Sequence, residues 1–589
     1  MQPVDVTTLM AICADVRANW LPARVEQVYQ RDRHTLFLGL RTLDRRGWLL
    51  VSWHPQAARI CLSPPPPRSP DTFTFSQQLR HQIGNLALVS IAAIAPWERV
   101  LDLQFARRPG DPALWHLYIE IMGQYSNVIL TNQHDQIVTA AHQVSSQQSS
   151  VRPIQTGQPY EPPPTLTNPA PSQTEPFERW QDRIQLVPGP IQKNLLKTYR
   201  GLSSALARSL VQAAHLDPQH STETLTATDW ANLFQTWQTW LQRLTTEQFS
   251  PGWTETGYTV LGWGAIAPCP DIQHLIDQYY ANHLNRQNFD RLHHQLSQKL
   301  TSLLAKLRLK ATEFEQRLEH SDQADHYRNQ ADLLMAHLHT WQPGMRVIDL
   351  PDFVTGEPAT IPLDPEKNAV QNAQALYKRH QKLKRSRSAI TPLLQTVQAE
   401  IQYLEQVEAA CTDLAGDRSA DAWEALQEIQ AELIQQGYLD APDYQATKTS
   451  PDAASQPYQY TTPSGFELLV GRNNRQNDIL TFRTAGDYDL WFHTQEIPGS
   501  HVLLRLDAGQ VPDTVDLEYA ADLAAFHSRA RQSEQVPVIY TEPKYVFKPK
   551  GAKPGMTVYK HERVLWGQPQ RAAIALATQK EMSGMREDI

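Results

Sequence analysis

Cysteine is scarce and scattered in this chain. Of 589 residues only four are cysteine, Cys13, Cys61, Cys269 and Cys411, and no two of them form a CxxC pair. That spacing supports neither a zinc finger nor a disulfide framework, and it fits a reducing cytoplasm. Long apolar runs are missing too. No uncharged stretch reaches the roughly eighteen residues of a membrane span, and no basic region followed by an apolar run opens the sequence. The expectation is a soluble, cytoplasmic protein with no membrane partner. A surplus of positive charge is also absent: 54 Lys and Arg stand against 62 Asp and Glu, for a net charge of −8. Unselective coating of nucleic acid is thereby disfavoured, since such affinity comes chiefly from neutralised phosphates. Any RNA contact must be local. P-loop, catalytic-triad and paired-carboxylate signatures are lacking, and His493, His501 and His527 have no helical i, i+4 ligand spacing. No catalytic residue, metal or cofactor is expected.

What is present suggests three to five domains, because the chain is too long for a single core, and its composition is that of a globular protein, with 41% apolar and 20% charged residues. Residues 1–160 mix a helical start with short alternating runs, as in 35–40, 48–52 and 100–105, and read as an α+β domain. Prolines 64–67 interrupt it, and 75–83 is again helical. Residues 161–178 are rich in Pro, Thr and Asn and form a linker. In 179–250, two short helices flank Gly201-Leu202-Ser203: either a helix-hairpin-helix, whose turn amides hold a phosphate, or a bare αα-hairpin.

From 275 to 437 the apolar pattern changes. Leu292, Leu296, Leu300, Leu303, Leu307, Phe314 and Leu318 recur at steps of three, four or seven, and Ile390, Leu394, Val397, Ile401 and Leu404 repeat the rhythm. Two arms of a long antiparallel coiled coil account for this better than two separate amphipathic helices, which would need a core to cover them. A small proline-containing module, about 320–388, sits at or near the tip. Residues 440–457 are polar and link to a last α+β domain, 458–570.

Three groups of residues have the chemistry to meet RNA. Residues 471–478 place Arg472, Asn473, Asn474, Gln476 and Asn477 between two apolar runs, 466–470 and 479–482, read as strands around a loop. Amides and a guanidinium on a loop can face phosphate, sugar and base edges together; alternatively the asparagines only cap a hairpin. Lys378, Arg379, Lys382, Lys384, Arg385 and Arg387 concentrate positive charge at the start of the second coil arm, as a phosphate contact or as a solvated helix face. Lys544, Lys548, Lys550 and Lys553 are interleaved with Tyr545, Phe547 and Pro549, which suits stacking plus phosphate attraction.

The order of GRNNRQNDILT, Asp489-Leu490-Trp491-Phe492-His493, Pro498-Gly499-Ser500-His501 and KPKGAKPG resembles the RNA-binding domain of the NFACT family. Ala58-Arg59-Ile60, Phe75 with Leu79-Arg80, Trp97-Glu98-Arg99 and Glu120-Ile121-Met122-Gly123 with Ser126-Asn127 resemble that family's N-terminal domain. The resemblance implies an α+β multidomain architecture: an α+β N-terminal domain, a helix-hairpin-helix, a long coil with a tip module and an α+β RNA-binding domain. It adds Trp491, His493 and His501 to the RNA-binding candidates, and Asp5, Glu98 and Arg99 as residues for tRNA, with Glu98 standing where the family has Asp. It implies a non-enzymatic quality-control factor that binds the large ribosomal subunit with an obstructed peptidyl-tRNA and recruits aminoacyl-tRNA, alanyl-tRNA in the bacterial relatives, for untemplated tailing, helped by a small RNA-binding partner protein. Two other classes have weaker support in the sequence. A fibronectin-binding adhesin lacks support from any export signal. A DNA glycosylase of the formamidopyrimidine type would need a proline at position two and a four-cysteine zinc finger; position two is Gln2.

Overall fold

Apolar alternation in the first 140 positions assembles one antiparallel sheet. A computed structural model describes residues 1–66, 70–149, 151–440 and 455–587, without the side chains of 579–587; Pro67 and residues 441–454 of the expected linker lie outside the described residues. The chain forms two units, Met1–Arg286 and Gln287–Ile589. In the first, α1 (Val6–Trp20) is followed by β1 (Ala23–Asp32), β2 (Thr35–Arg41), β3 (Arg46–Ser52), β4 (Arg59–Ser63), α2 (Thr74–Ile83), β5 (Ala87–Ala93), β6 (Val100–Ala106), β7 (Trp115–Glu120), β8 (Asn127–Asn132) and β9 (Ile137–Ala140). The strand order is β4-β3-β2-β1-β5-β6-β7-β8-β9. In β2 every residue from Thr35 to Leu40 is buried, so this strand is covered on both faces and reads as an apolar run instead of an alternation.

Helices α3 (Phe177–Gln185), α4 (Ile191–Thr198), α5 (Ser204–Ala213) and α6 (Ala227–Thr245) follow, then a small sheet of β10 (Gly252–Thr254), β11 (Gly257–Thr259) and β12 (Ala267–Pro268). They share one apolar cluster with α1 and the large sheet, to which the first turns of α7 (Ile272–Asp322) add Leu275, Ile276 and Tyr280. Trp180, Trp237 and Trp240 are fully buried in it.

In the second unit the rest of α7 leads to α8 (Ala324–Ala336), the hairpin β13 (Val347–Pro351) and β14 (Pro358–Pro362), α9 (Ala369–Leu414) and α10 (Ala420–Gln435). Paired contacts establish the antiparallel register of α7 and α9: His293 to the Cys411 carbonyl at 2.9 Å, Arg308 to Glu405 at 2.6 Å, and Arg387 to Asp322 at 2.7 Å. The seam runs through Leu292, Leu296, Leu300 and Leu304, with Leu303 half-buried beside it. Ala422, Ala425, Leu426, Ile429 and Leu433 of α10 join the same cluster, so the base of the coil is a three-helix assembly where two arms were expected. The tip module closes over Leu334, Ile348, Leu350 and Ile361, with Ala369 and Ala373 of α9 beneath them.

The last part has β15 (Tyr458–Thr461), β16 (Glu467–Val470), α11 (Asn474–Ile479), β17 (Leu490–Thr494), β18 (Val502–Leu504), α12 (Thr514–Phe526), β19 (Val536–Thr541), β20 (Val546–Phe547), β21 (Val558–Tyr559), β22 (Arg563–Gly567) and α13 (Pro569–Glu587). Six strands form a sheet in the order β15-β16-β18-β17-β19-β22. The small residues Ala520, Ala521, Ala524 and Ala525 let α12 lie close on it; a Cβ on Gly567 would meet the Ala521 carbonyl oxygen at 2.4 Å. One expectation fails here. Residues 479–482 are helical, the end of α11 and a π-turn over Leu480–Thr484. Asn473 caps α11 by accepting from the Gln476 amide at 3.0 Å, and burial of Leu480 and Thr481 beside exposed Ile479 and Phe482 follows a helix face, not a strand.

Candidate nucleic-acid interface

The start of α9 carries an exposed basic face. Asn368 begins the helix with a reciprocal capping box to Gln371, which fixes the helix start ten positions before the first of the cations, Lys378. Lys378, Lys382 and Arg385 recur at i, i+4 and i+7, so they project from one side. All six predicted cations of this block are exposed. Arg379 lies 4.4 Å over the Tyr327 ring and Arg387 pairs with Asp322; among the described residues no carboxylate stands within ion-pair distance of Lys378, Lys382, Lys384 or Arg385. His380 and Tyr377 face inward instead, the former on the Ala324 carbonyl at 2.9 Å and the latter donating to Asp332 at 2.5 Å. These two contacts tie the basic turns to α8, so the cations ride on a braced surface.

The 471–478 segment is placed differently from the expected exposed loop. Arg472, Asn473, Asn474, Gln476 and Asn477 are all buried, at 7%, 1%, 2%, 6% and 3% of full exposure. Arg472 pairs with Asp417 at 2.7 Å, reaches Asp421 at 3.9 Å and lies 3.7 Å over the Tyr458 ring. Asn473 donates to Glu428 at 2.6 Å, Asn474 to Glu432 at 3.2 Å, and Gln476 to the Ser455 carbonyl at 2.6 Å. The physical reason is charge: the stretch after α9 and the helix α10 bear Asp417, Asp421, Glu428 and Glu432, and these carboxylates meet Arg472, Asn473 and Asn474. Burial pushes the Asp417 carboxyl up, but hydrogen bonds from Ser419 and Arg472 outweigh it and hold the group below its usual range. Asn477 turns toward the sheet, where its side-chain oxygen accepts from the His501 amide at 3.1 Å.

Trp491 and His501 are buried as well, at 0% and 1% exposure. Thr481 connects them, accepting from the Trp491 indole at 3.0 Å and lying 2.7 Å from His501 Nδ1. His493 packs in the same group, stacked on Trp491 and edge-on to His501. Burial pulls the His493 imidazole down to about 4 and His501 well below its ordinary value, so both rings are neutral at pH 7. This cluster anchors α11 to the sheet, with Trp491 and His501 closed off from solvent and His493 half-buried. Sequence type alone could not separate it from a binding triad.

The lysine edge divides. Lys544 is exposed and paired with Glu542; Lys548 is paired with Asp478. Lys553 is half-buried, 4.5 Å over the Tyr403 ring and 4.6 Å over that of Tyr438, and burial lowers its ammonium. Lys550 is exposed and, among the described residues, meets no carboxylate. Phe547, three positions earlier, is exposed, and so is Trp566 on the edge strand β22. Trp566 was missed from the sequence because it falls beyond the motifs, though an apolar ring on an edge strand is a usable signal.

In the first unit Asp5 and Glu98 converge on the α4–α5 turn. Asp5 is 5% exposed; it accepts from the Thr8 amide and hydroxyl at 2.8 and 2.9 Å and from Ser203 Oγ at 2.6 Å. Glu98 faces Arg200 at 3.7 Å and forms no ion pair with its neighbour Arg99. Arg99 is half-buried, and no described group within hydrogen-bond reach takes its guanidinium. Gly201 (φ +80°) sits against Trp97, where a Cβ would meet the ring at 2.8 Å, and Trp97 itself has φ +68°, an uncommon backbone for a bulky residue. Ser203 and Arg200, the partners of Asp5 and Glu98, could be found only from the fold.

Residues 5–452 match the family model of NFACT N-terminal and middle domains, and residues 456–560 match that of the NFACT protein RNA binding domain. A curated relative named Rqc2 homolog RqcH from Streptococcus suis (strain 05ZYH33) is 30% identical over 568 residues, 94% of this chain and 95% of the relative. A relative of the same name from Bacillus subtilis (strain 168) is 28% identical over 558 residues, 93% of this chain and 94% of its own length. Among solved structures, the C-terminal of the fibronectin/fibrinogen-binding protein from Streptococcus suis is 31% identical, covers 48% of this chain and 95% of that chain, and has a TM-score of 0.37.

Proposed function

The chain belongs to the NFACT family, and from that premise we propose that it is a ribosome-associated quality-control factor that engages the large ribosomal subunit through the basic face of α9. It holds an obstructed peptidyl-tRNA there and recruits aminoacyl-tRNA, alanyl-tRNA on the family's pattern, for untemplated extension of the stalled chain. Peptide transfer itself belongs to the ribosome. The observation that carries the reading is the set of cations on α9 left without internal partners in a chain of net charge −8. In an acidic protein this block sets Lys378, Lys382, Lys384 and Arg385 close together with no ion pair among the described residues, and phosphate is the partner that such a face fits.

Two further contacts complete the proposal. Arg99, with its guanidinium unengaged, is the tRNA contact of the first unit, while Asp5 and Glu98 set the turn beside it. Lys550, with exposed Phe547 three positions before it, forms a lesser RNA edge on the last domain. The test is sedimentation of the full chain with large subunits. Reversal of Lys382, Arg385 and Arg387 to Glu moves the protein to the unbound fraction; undiminished co-sedimentation would remove the α9 face from the interface and with it the main support for this function.

A further inference from the structure

The motif Glu120-Ile121-Met122-Gly123-Gln124-Tyr125-Ser126-Asn127 has no part in the contacts above, yet Glu120, Ser126 and Asn127 hold the wall of one cavity. This cavity, about 740 Å³, lies in the first unit and is lined among others by Arg33, His34, Trp53, Tyr125, His142 and Arg152. Buried Asn127 accepts from the His142 amide at 2.9 Å and donates to its carbonyl at 2.7 Å, fixing that residue at the lip. Ser126 Oγ accepts from the Met122 amide at 2.9 Å, and Gly123 (φ +60°) makes the tight turn that follows. That turn thrusts Tyr125 outward at 73% exposure. Glu120, 1% exposed, holds Arg152 through both guanidinium nitrogens and accepts from the Tyr160 hydroxyl at 3.0 Å. Glu120, Ser126 and Asn127 are framework, and the lip they position is what meets solvent.

The lining is selective in charge. Two arginines and two histidines line the cavity, and no Asp or Glu is among its described lining residues, although carboxylates outnumber cations in the chain as a whole. Only Arg152 has its charge met from beneath. An anion is favoured, and the aromatic walls of Trp53 and Tyr125 ask for a flat ring attached to it. A bare phosphate would not need this volume, which suits a ligand of nucleotide size; a lipid chain would not need the cations.

We propose that this cavity binds one unpaired nucleotide, its base stacked on Tyr125 and against the Trp53 wall, its phosphate facing Arg33 and His142. The ligand chemistry, base plus phosphate, is shared by a splayed residue of an RNA strand and by a free nucleotide. The open lip favours the strand, and the Arg99 carbonyl, which accepts from the Ile121 amide at 2.9 Å, places the proposed tRNA contact one strand away. To that extent the inference rests on the RNA-binding function above.

The test uses the full chain in two arms. Equilibrium dialysis measures binding of labelled AMP, GMP, CMP and UMP, and filter binding measures affinity for bulk tRNA. Tyr125 is exposed, so Tyr125→Ala leaves the fold intact; Tyr125→Phe keeps the ring. Expected is saturable binding of at least one monophosphate that tRNA displaces, with both affinities weakened roughly tenfold by Tyr125→Ala, the scale of one lost base–aromatic stack, and retained by Tyr125→Phe. Saturable monophosphate binding that tRNA does not displace would assign the cavity to free nucleotides. Absence of monophosphate binding together with equal tRNA affinity for Tyr125→Ala and the parent would overturn the proposal. The proposed function would survive that result if tRNA binding still depended on Arg99.

Discussion

The basic face of α9 and the Arg472–Asn477 segment were singled out on the same ground, a concentration of donors in an acidic chain, and they have opposite fates. On α9 the neighbouring turns supply few acids, and Lys378, Lys382, Lys384 and Arg385 stay unpaired among the described residues. In the 471–478 segment every donor is matched: Arg472 by Asp417, Asn473 by Glu428, Asn474 by Glu432. What separates the two is where the fold puts the surplus of carboxylates. Acid on α10 and at the end of α9 acts as the internal counterpart of the last domain, so residues that look like an RNA surface become an internal seam.

That comparison can be broken most forcefully at Arg472. Truncating one partner of a buried ion pair leaves the other charge uncompensated, a loss of about 3 kcal/mol. Arg472→Ala is expected to lower the thermal midpoint clearly in calorimetry, whereas Arg385→Ala leaves it unchanged; equal effects would erase the distinction. Next is Arg99→Ala. An unengaged guanidinium that meets tRNA contributes about 2 kcal/mol as a charged hydrogen bond, to be read as tRNA recovered per large subunit, with subunit sedimentation intact. Glu98→Asp should not alter this, because Glu98 faces Arg200 and not Arg99.

A smaller effect comes from pH. Burial lowers His493 from 6.5 to about 4 and lowers His501 as well. Between those values the unfolded chain binds protons that the folded domain does not, so stability is complete above about 6.5 and falls as pH drops toward 4. Denaturant midpoints at pH 7 and pH 5 should show the loss, and replacing both histidines by Gln should flatten it. The smallest expected change is Lys550→Ala: an exposed substitution shifts stability by less than about 0.5 kcal/mol, and should weaken RNA binding slightly with a shallower salt dependence.

Much of the architecture was legible. The leucine steps of 292–318 and 390–404 gave two antiparallel arms because a coil seam is written in local spacing. The third helix at the base was harder, since α10 has the same amphipathic character as the arms and nothing local says that it folds back. Residues 479–482 read as a strand because four apolar or β-branched residues in a row suit either state; the Asn473 cap decided for helix. The burial of Arg472 and its neighbours was not legible, because their partners lie some 45 to 55 positions away. Asp5 meeting Ser203 across 198 positions is the same case.

The most direct test of the central claim, that the α9 face and not the Arg472 segment meets RNA, is the slope of log affinity against log salt for the full chain on large ribosomal subunits. Each phosphate contact contributes roughly 0.7 to 0.9 to that slope. The parent should bind with a steep slope, Lys382→Glu/Arg385→Glu/Arg387→Glu should lose about 2 to 3 from it, and Arg472→Ala, at a temperature well below its melting transition, should keep the parent's value. A slope that drops by about one contact for Arg472→Ala and is unchanged in the triple variant would contradict the account.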